Sequence, residues 1–112
     1  SNAYINGPEQ YNKCLKKQIA MLKTTAPDMS SLTYEEKSSA EIACSNAYIN
    51  GPEQYNKCLK KQIAMLKTTA PDMSSLTYEE KSSAEIACSN AYINGPEQYN
   101  KCLKKQLKNL GR

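Results

Sequence analysis

Residues 32–67 read LTYEEKSSAEIACSNAYINGPEQYNKCLKKQIAMLK, and the fold is decided in this stretch. Thr33-Tyr34-Glu35-Glu36 fits the Thr-x-x-Glu capping box, in which the hydroxyl satisfies the Glu36 amide and the carboxylate reaches back to the Thr33 amide. A first helix is therefore predicted over 34–49. Asn50-Gly51-Pro52 ends it and starts another, because Gly tolerates the left-handed C-terminal position and Pro suits a first helical turn. The second helix is predicted over 52–67, and 68–75, with Pro71 and Asp72 inside, reads as a loop. Glu35, Glu36 and Glu53 stand near helix starts, whereas Lys60, Lys61 and Lys67 lie further along, which complements the helix dipole.

Steps of 100° give each helix its faces. On the first, Ala40, Ala43, Cys44, Ala47 and Tyr48 form a broad arc, and Ile42 and Ile49 form a second patch, so neighbours are expected on two sides. On the second, Tyr55, Cys58, Leu59, Ile63, Met65 and Leu66 form a stripe with Gln62 inside it. Asn56, Lys57, Lys60, Lys61 and Lys67 are placed on the opposite, solvated face. Beta-branched residues are too few to favour strands.

The hairpin recurs. Residues 1–44 and 45–88 are identical letter for letter, and 89–106 repeat the first eighteen letters, so the period is 44. The reading is one 112-residue domain of two units, a partial third and a C-terminal cap at 107–112. In that cap Lys108 and Asn109 stand where Ala64 and Met65 stood, as a polar end requires, and Met21 and Met65 are expected to touch the following unit. Five main helices are expected, about 8–23, 34–49, 52–67, 78–93 and 96–110, after a stub of a first helix at 1–5. The fold class is all-α: antiparallel αα-hairpins stacked as a short solenoid and tied by disulfides. Natural repeats drift at exposed positions, but here even exposed Lys, Asn and Ser are copied. That implies one chosen unit copied as an engineered array.

In architecture the chain resembles the tandem helical-hairpin proteins, the group of tetratricopeptide and Sel1-like repeats, although their periods and signatures are absent. The run Leu32…Glu36…Ala43-Cys44…Gly51-Pro52…Tyr55…Cys58-Leu59…Gln62 is also similar to short Cys-paired hairpin units of secreted bacterial proteins. No functional residue is carried over from either resemblance.

The cysteines carry the chemistry. Cys14, Cys44, Cys58, Cys88 and Cys102 alternate in separation between 30 and 14, with no CxxC and no His in the chain, which disfavours a metal site. Cys44 and Cys58 each lie about 10 Å from the turn at 1.5 Å per residue, level across the hairpin. This favours Cys44–Cys58 and Cys88–Cys102, with Cys14 left as a thiol. Cys14–Cys44 with Cys58–Cys88 is a rival pairing that leaves Cys102.

The composition excludes more than it proposes. Without His there is no Ser–His or Cys–His pair, no catalytic or cofactor-binding residue stands out, and no apolar run reaches the ~20 residues of a membrane span. The net charge of +4 is mild, and nine Glu and two Asp offset the basic stripe of Lys57, Lys60 and Lys61, so nucleic acid is not the expected partner. The reading is a structural scaffold rather than an enzyme, with a protein- or peptide-binding module from a secreted bacterial protein as the alternative. Disulfides would place the parent unit in an oxidising compartment. Tyr11, Cys14 and Leu15 lack the covering helix that Tyr55, Cys58 and Leu59 have, so a homodimer through this N-terminal face is expected.

Overall fold

The structure, a computed structural model, describes residues 8–21 and 25–112. Among these residues there are seven helices and no strand: α1 (Pro8–Met21), α2 (Tyr34–Ala43), α3 (Ser45–Tyr48), α4 (Pro52–Met65), α5 (Tyr78–Ala87), α6 (Ser89–Asn94) and α7 (Pro96–Asn109). The predicted stub at 1–5 and the end of the first predicted helix at 22–23 lie outside the described residues.

The local signals act as their chemistry requires. Thr33 Oγ1 accepts from the Glu36 amide at 3.1 Å and Glu36 Oε1 accepts from the Thr33 amide at 2.9 Å, and Thr77 and Glu80 repeat the box. Gly51 and Gly95 take φ of 111° and 122°, a region closed to most side chains, and Pro follows each at the first helical turn. A Cβ on Gly95 would also strike the side-chain Oε1 of Gln62 in the preceding hairpin.

One expectation fails. The helices predicted as continuous over 34–49 and 78–93 each step out of helical geometry at a cysteine. Cys44 has φ −99° and ψ 14°, and its amide is shared between the carbonyls of Ala40 and Glu41 at 3.1 and 3.2 Å. The helix resumes at once, with the Tyr48 amide on the Cys44 carbonyl at 2.9 Å, and Cys88 behaves alike. No Gly or Pro marks the break. It falls at the residue whose side chain is tied across to the second helix of the hairpin, a constraint that helical periodicity does not carry.

The ties are Cys44–Cys58 and Cys88–Cys102, each with 5.7 Å between Cα atoms, and Cys14 is a free thiol. The rival pairing of Cys14 with Cys44 is thereby excluded. Each bridge sits in its own small core. Ala40, Cys44 and Leu59 are buried together with Met29, Tyr55 and Cys58 against them. Ala84, Cys88, Tyr99 and Leu103 form the second core, with Met73, Tyr92 and Cys102. Beside each, two tyrosines meet edge to face: Tyr92 with Tyr99 at 4.9 Å, and at the first core the exposed Tyr48 with Tyr55 at 5.0 Å.

Between hairpins, α1 lies on α4 and α4 on α7, while α2 packs both on its own α3 and α4 and on α6 and α7 of the next hairpin. The molecule is drawn out to 60 × 25 × 16 Å, and its radius of gyration of 18.2 Å exceeds the roughly 13 Å of a compact chain this long.

With so few buried apolar residues per core, the bridges should weigh heavily. Replacing Cys44 and Cys58 together by Ser should lower stability by about 3 kcal/mol, the chain-entropy value for a 15-residue loop, as read from urea unfolding. The Cys88/Cys102 pair should behave alike, whereas Cys14→Ser should change the unfolding free energy by no more than about 0.5 kcal/mol.

Candidate functional site

The polar chemistry gathers at the joint between hairpins. Glu97, in the first turn of α7 and 9% exposed, accepts on Oε1 from the Lys67 and Thr68 amides at 2.8 and 2.7 Å. Its Oε2 accepts from the Thr68 hydroxyl at 2.9 Å and lies 3.5 Å from the Lys101 ammonium. One turn later Asn100, 1% exposed, donates from Nδ2 to Glu36 Oε2 and to the Thr68 carbonyl, both at 2.8 Å. The Ser39 hydroxyl, fully buried, donates to the Tyr92 carbonyl. Glu36 thus caps its own helix with one oxygen and binds the next hairpin with the other.

These residues correct the sequence reading. Asn56, placed on the solvated face with the lysines, is 8% exposed, and its copy Asn100 is more buried still. The expected second apolar patch, Ile42 and Ile49, is instead left 40% and 79% exposed. The second neighbour of the first helix is reached through Glu36 and Ser39. Helical periodicity sorts residues by polarity, so it sends a buried Asn to the wrong side. The available signal was that Glu and Asn at three-residue spacing open each second helix beside a Gly-Pro turn.

Hydrogen bonds from the Lys67 and Thr68 amides hold the Glu97 carboxyl at about 2, well below the ordinary carboxylate range. Burial pushes the Tyr99 phenol up to about 12, with the nearby Glu85 and Glu35 carboxylates adding to it. Tyr55 is raised by burial in the same direction.

At the C-terminal end Arg112 is the partner of Glu80, the counterpart of Glu36, but it meets the oxygen that also caps Thr77 rather than the other one. Its guanidinium donates to Glu80 Oε1 at 2.6 Å and to the Ser75 carbonyl at 3.3 Å. The amides of Gly111 and Arg112 turn inward to the Lys108 and Leu107 carbonyls at 2.9 and 3.0 Å, a Schellman closure with Gly111 at φ 75°. Their counterparts 44 residues earlier, Lys67 and Thr68, offer those amides to a carboxylate. Lys108 and Asn109 are exposed.

On the N-terminal face Tyr11 and Cys14 are half-buried and Leu15 is 44% exposed, beside a groove that Tyr48, Pro52 and Tyr55 close on the far side. Lys57, Lys60 and Lys61 are exposed, and Lys57 lies 3.8 Å from Glu53, so this stripe is a solvated face. Among the described residues no cluster of His, Cys, Asp and Glu could hold a metal ion, and no helix is long and apolar enough to cross a membrane. No protein-family model, no curated protein and no solved structure matches the chain.

Asn100→Ala should lower stability by roughly 1–3 kcal/mol, because two buried acceptors lose their donor. Glu97 supplies the pH dependence. Its folded value lies below the roughly 4.3 of an unfolded Glu, so its stabilising contribution is complete above that value and is lost as pH falls toward about 2. Urea midpoints measured from pH 7 to 2 should fall over this window, and Glu97→Gln should flatten that part of the fall.

Proposed function

We propose that the chain is an engineered helical repeat scaffold. Its hairpins stack as a short solenoid, and its role is structural rather than catalytic. The observation that carries this reading is letter-perfect identity across 44-residue units at exposed as well as buried positions. Identical segments also take up closely similar local structure: Thr33 and Thr77 share φ −68° and ψ 164°, and each hairpin has its own bridge and core, although α6 runs two residues longer than α3. The elongated shape and the contact of each second helix with the next support stacking.

A chain of such units behaves as a sum of unit stabilities and nearest-neighbour joints. Inserting one further copy of residues 45–88 should therefore give a soluble, fully helical protein of unchanged oligomeric state, lengthened along one axis in small-angle scattering and unfolding at a higher temperature. A chain that aggregates or gains no stability would count against the modular reading. The second reading, a protein- or peptide-binding module, draws on the groove of Tyr11, Leu15, Tyr48 and Tyr55.

A further inference from the structure

We propose that the groove between α1 and the α3–α4 corner binds a separate peptide helix bearing the sequence of residues 32–43, and sets the thiol of Cys14 against a cysteine that follows it. The inference rests on internal identity and holds whether or not the array is engineered.

One wall of the groove is Tyr11, Leu15 and Gln18, and the other is Tyr48, Pro52 and Tyr55. Each has the same residue 44 positions later: Tyr55, Leu59 and Gln62, then Tyr92, Pro96 and Tyr99. In the second location the space between the walls is occupied by α2. It buries Leu59 and Ala40 in one core with Tyr55 against them, and it reaches the far wall through Ser39 on the Tyr92 carbonyl and Glu36 on Asn100. The same surfaces differ in exposure accordingly. Leu59 is 4% exposed and Leu15 44%, Tyr99 is 5% exposed and Tyr55 half-buried, and Pro96 is buried while Pro52 is exposed. The groove encloses about 570 Å³. A surface that seats one helix seats the same helix again where its residues recur.

Net charge favours the encounter, though no lysine among the described residues lines the groove: the segment 32–43 carries Glu35, Glu36 and Glu41 against Lys37, a net of −2, while the solvated side of α1 carries Lys13, Lys16 and Lys17 against Glu9, a net of +2. The occupant is a separate peptide and not the α5 copy of this helix in a second molecule, because Glu80 of α5 is already held by Arg112 at 2.6 Å.

The cysteines make the site addressable. In the internal copy the residue after α2, Cys44, is bonded to Cys58, and the counterpart of Cys58 is Cys14, half-buried in α1 between the wall residues Tyr11 and Leu15. A docked helix therefore presents its own Cys44 sulfur to a free thiol. If that sulfur is supplied as a mixed disulfide with an aromatic thiol, the Cys14 thiolate attacks it. A Cys14–Cys44 disulfide forms, the peptide–aryl disulfide breaks, and the aryl thiolate leaves with the electron pair.

The probe is a synthetic peptide of residues 25–44, with Cys44 carried as its thionitrobenzoate disulfide, added to the intact oxidised chain. Release of the coloured thiolate should run at least about tenfold faster than with a scrambled peptide carrying the same activated cysteine, since docking raises the local concentration. Peptide mapping should place the new bond at Cys14. A peptide with Ser39→Tyr, which cannot enter the close contact Ser39 makes, should fall to the scrambled rate. A Cys44→Ser peptide should still shift the amide resonances of Leu15, Tyr48 and Tyr55 saturably, in the parent chain and in Cys14→Ser, and Tyr48→Ala should weaken that binding without loss of helicity. Equal exchange rates for native and scrambled peptides, resonance shifts confined to α5, or a chain that is already a dimer with Leu15 protected would each overturn the proposal.

Discussion

The bridge between the two helices of a hairpin is the constraint on which this structure depends. Three or four buried residues are too few to hold a pair of helices against the entropy of an open chain. The cystine removes part of that entropy from the unfolded state and fixes which turns lie level. Once Cys44 and Cys58 are joined, the tyrosine pair beside them is brought edge to face, and Ala40 and Ala43 permit the close approach of helix to helix. The break at Cys44 belongs to the same constraint, since the first helix re-aims its last turn at the point where it is tied.

Hairpins made in this way still have to be joined in one register, and the joint is polar. Glu97, Thr68, Asn100 and Glu36 satisfy one another almost out of contact with water. A buried carboxylate is costly to desolvate, and only a full set of donors offsets that cost. Glu97 has two backbone amides, a hydroxyl and the Lys101 ammonium. An apolar joint could slide by a turn at small cost, whereas this one has donors and acceptors matched at a single offset. The same logic explains the last residues, where Arg112 supplies the charge-assisted donor on Glu80 and the Schellman turn consumes the final amides.

Identical sequence has not produced identical surroundings. Leu15 and Leu59 hold the same position in identical 44-residue units, yet one is about tenfold more exposed than the other, because α2 lies over one of them. The face of α1 that carries Leu15 is therefore a copy of the face of α4 that α2 covers, and its chemistry can be read from that covered copy.

The helices and turns are legible from local chemistry. Thr-x-x-Glu boxes, Gly-Pro turns and Asp-containing loops act through bonds spanning two to four residues, and such bonds are written in adjacent letters. The cystine pairing is legible too, to the extent that distance from a tight turn sets the level of a residue in a hairpin. The break at Cys44 and Cys88 was decided only by the tertiary structure, as was the burial of Asn56 and Asn100 on a face that polarity assigns to water. So was the use of Glu97 across 30 residues of chain. Each of these depends on which surface is brought opposite which. A 100° projection describes one helix in isolation and contains no information about its neighbour, so a polar residue buried by a partner reads in it as solvated.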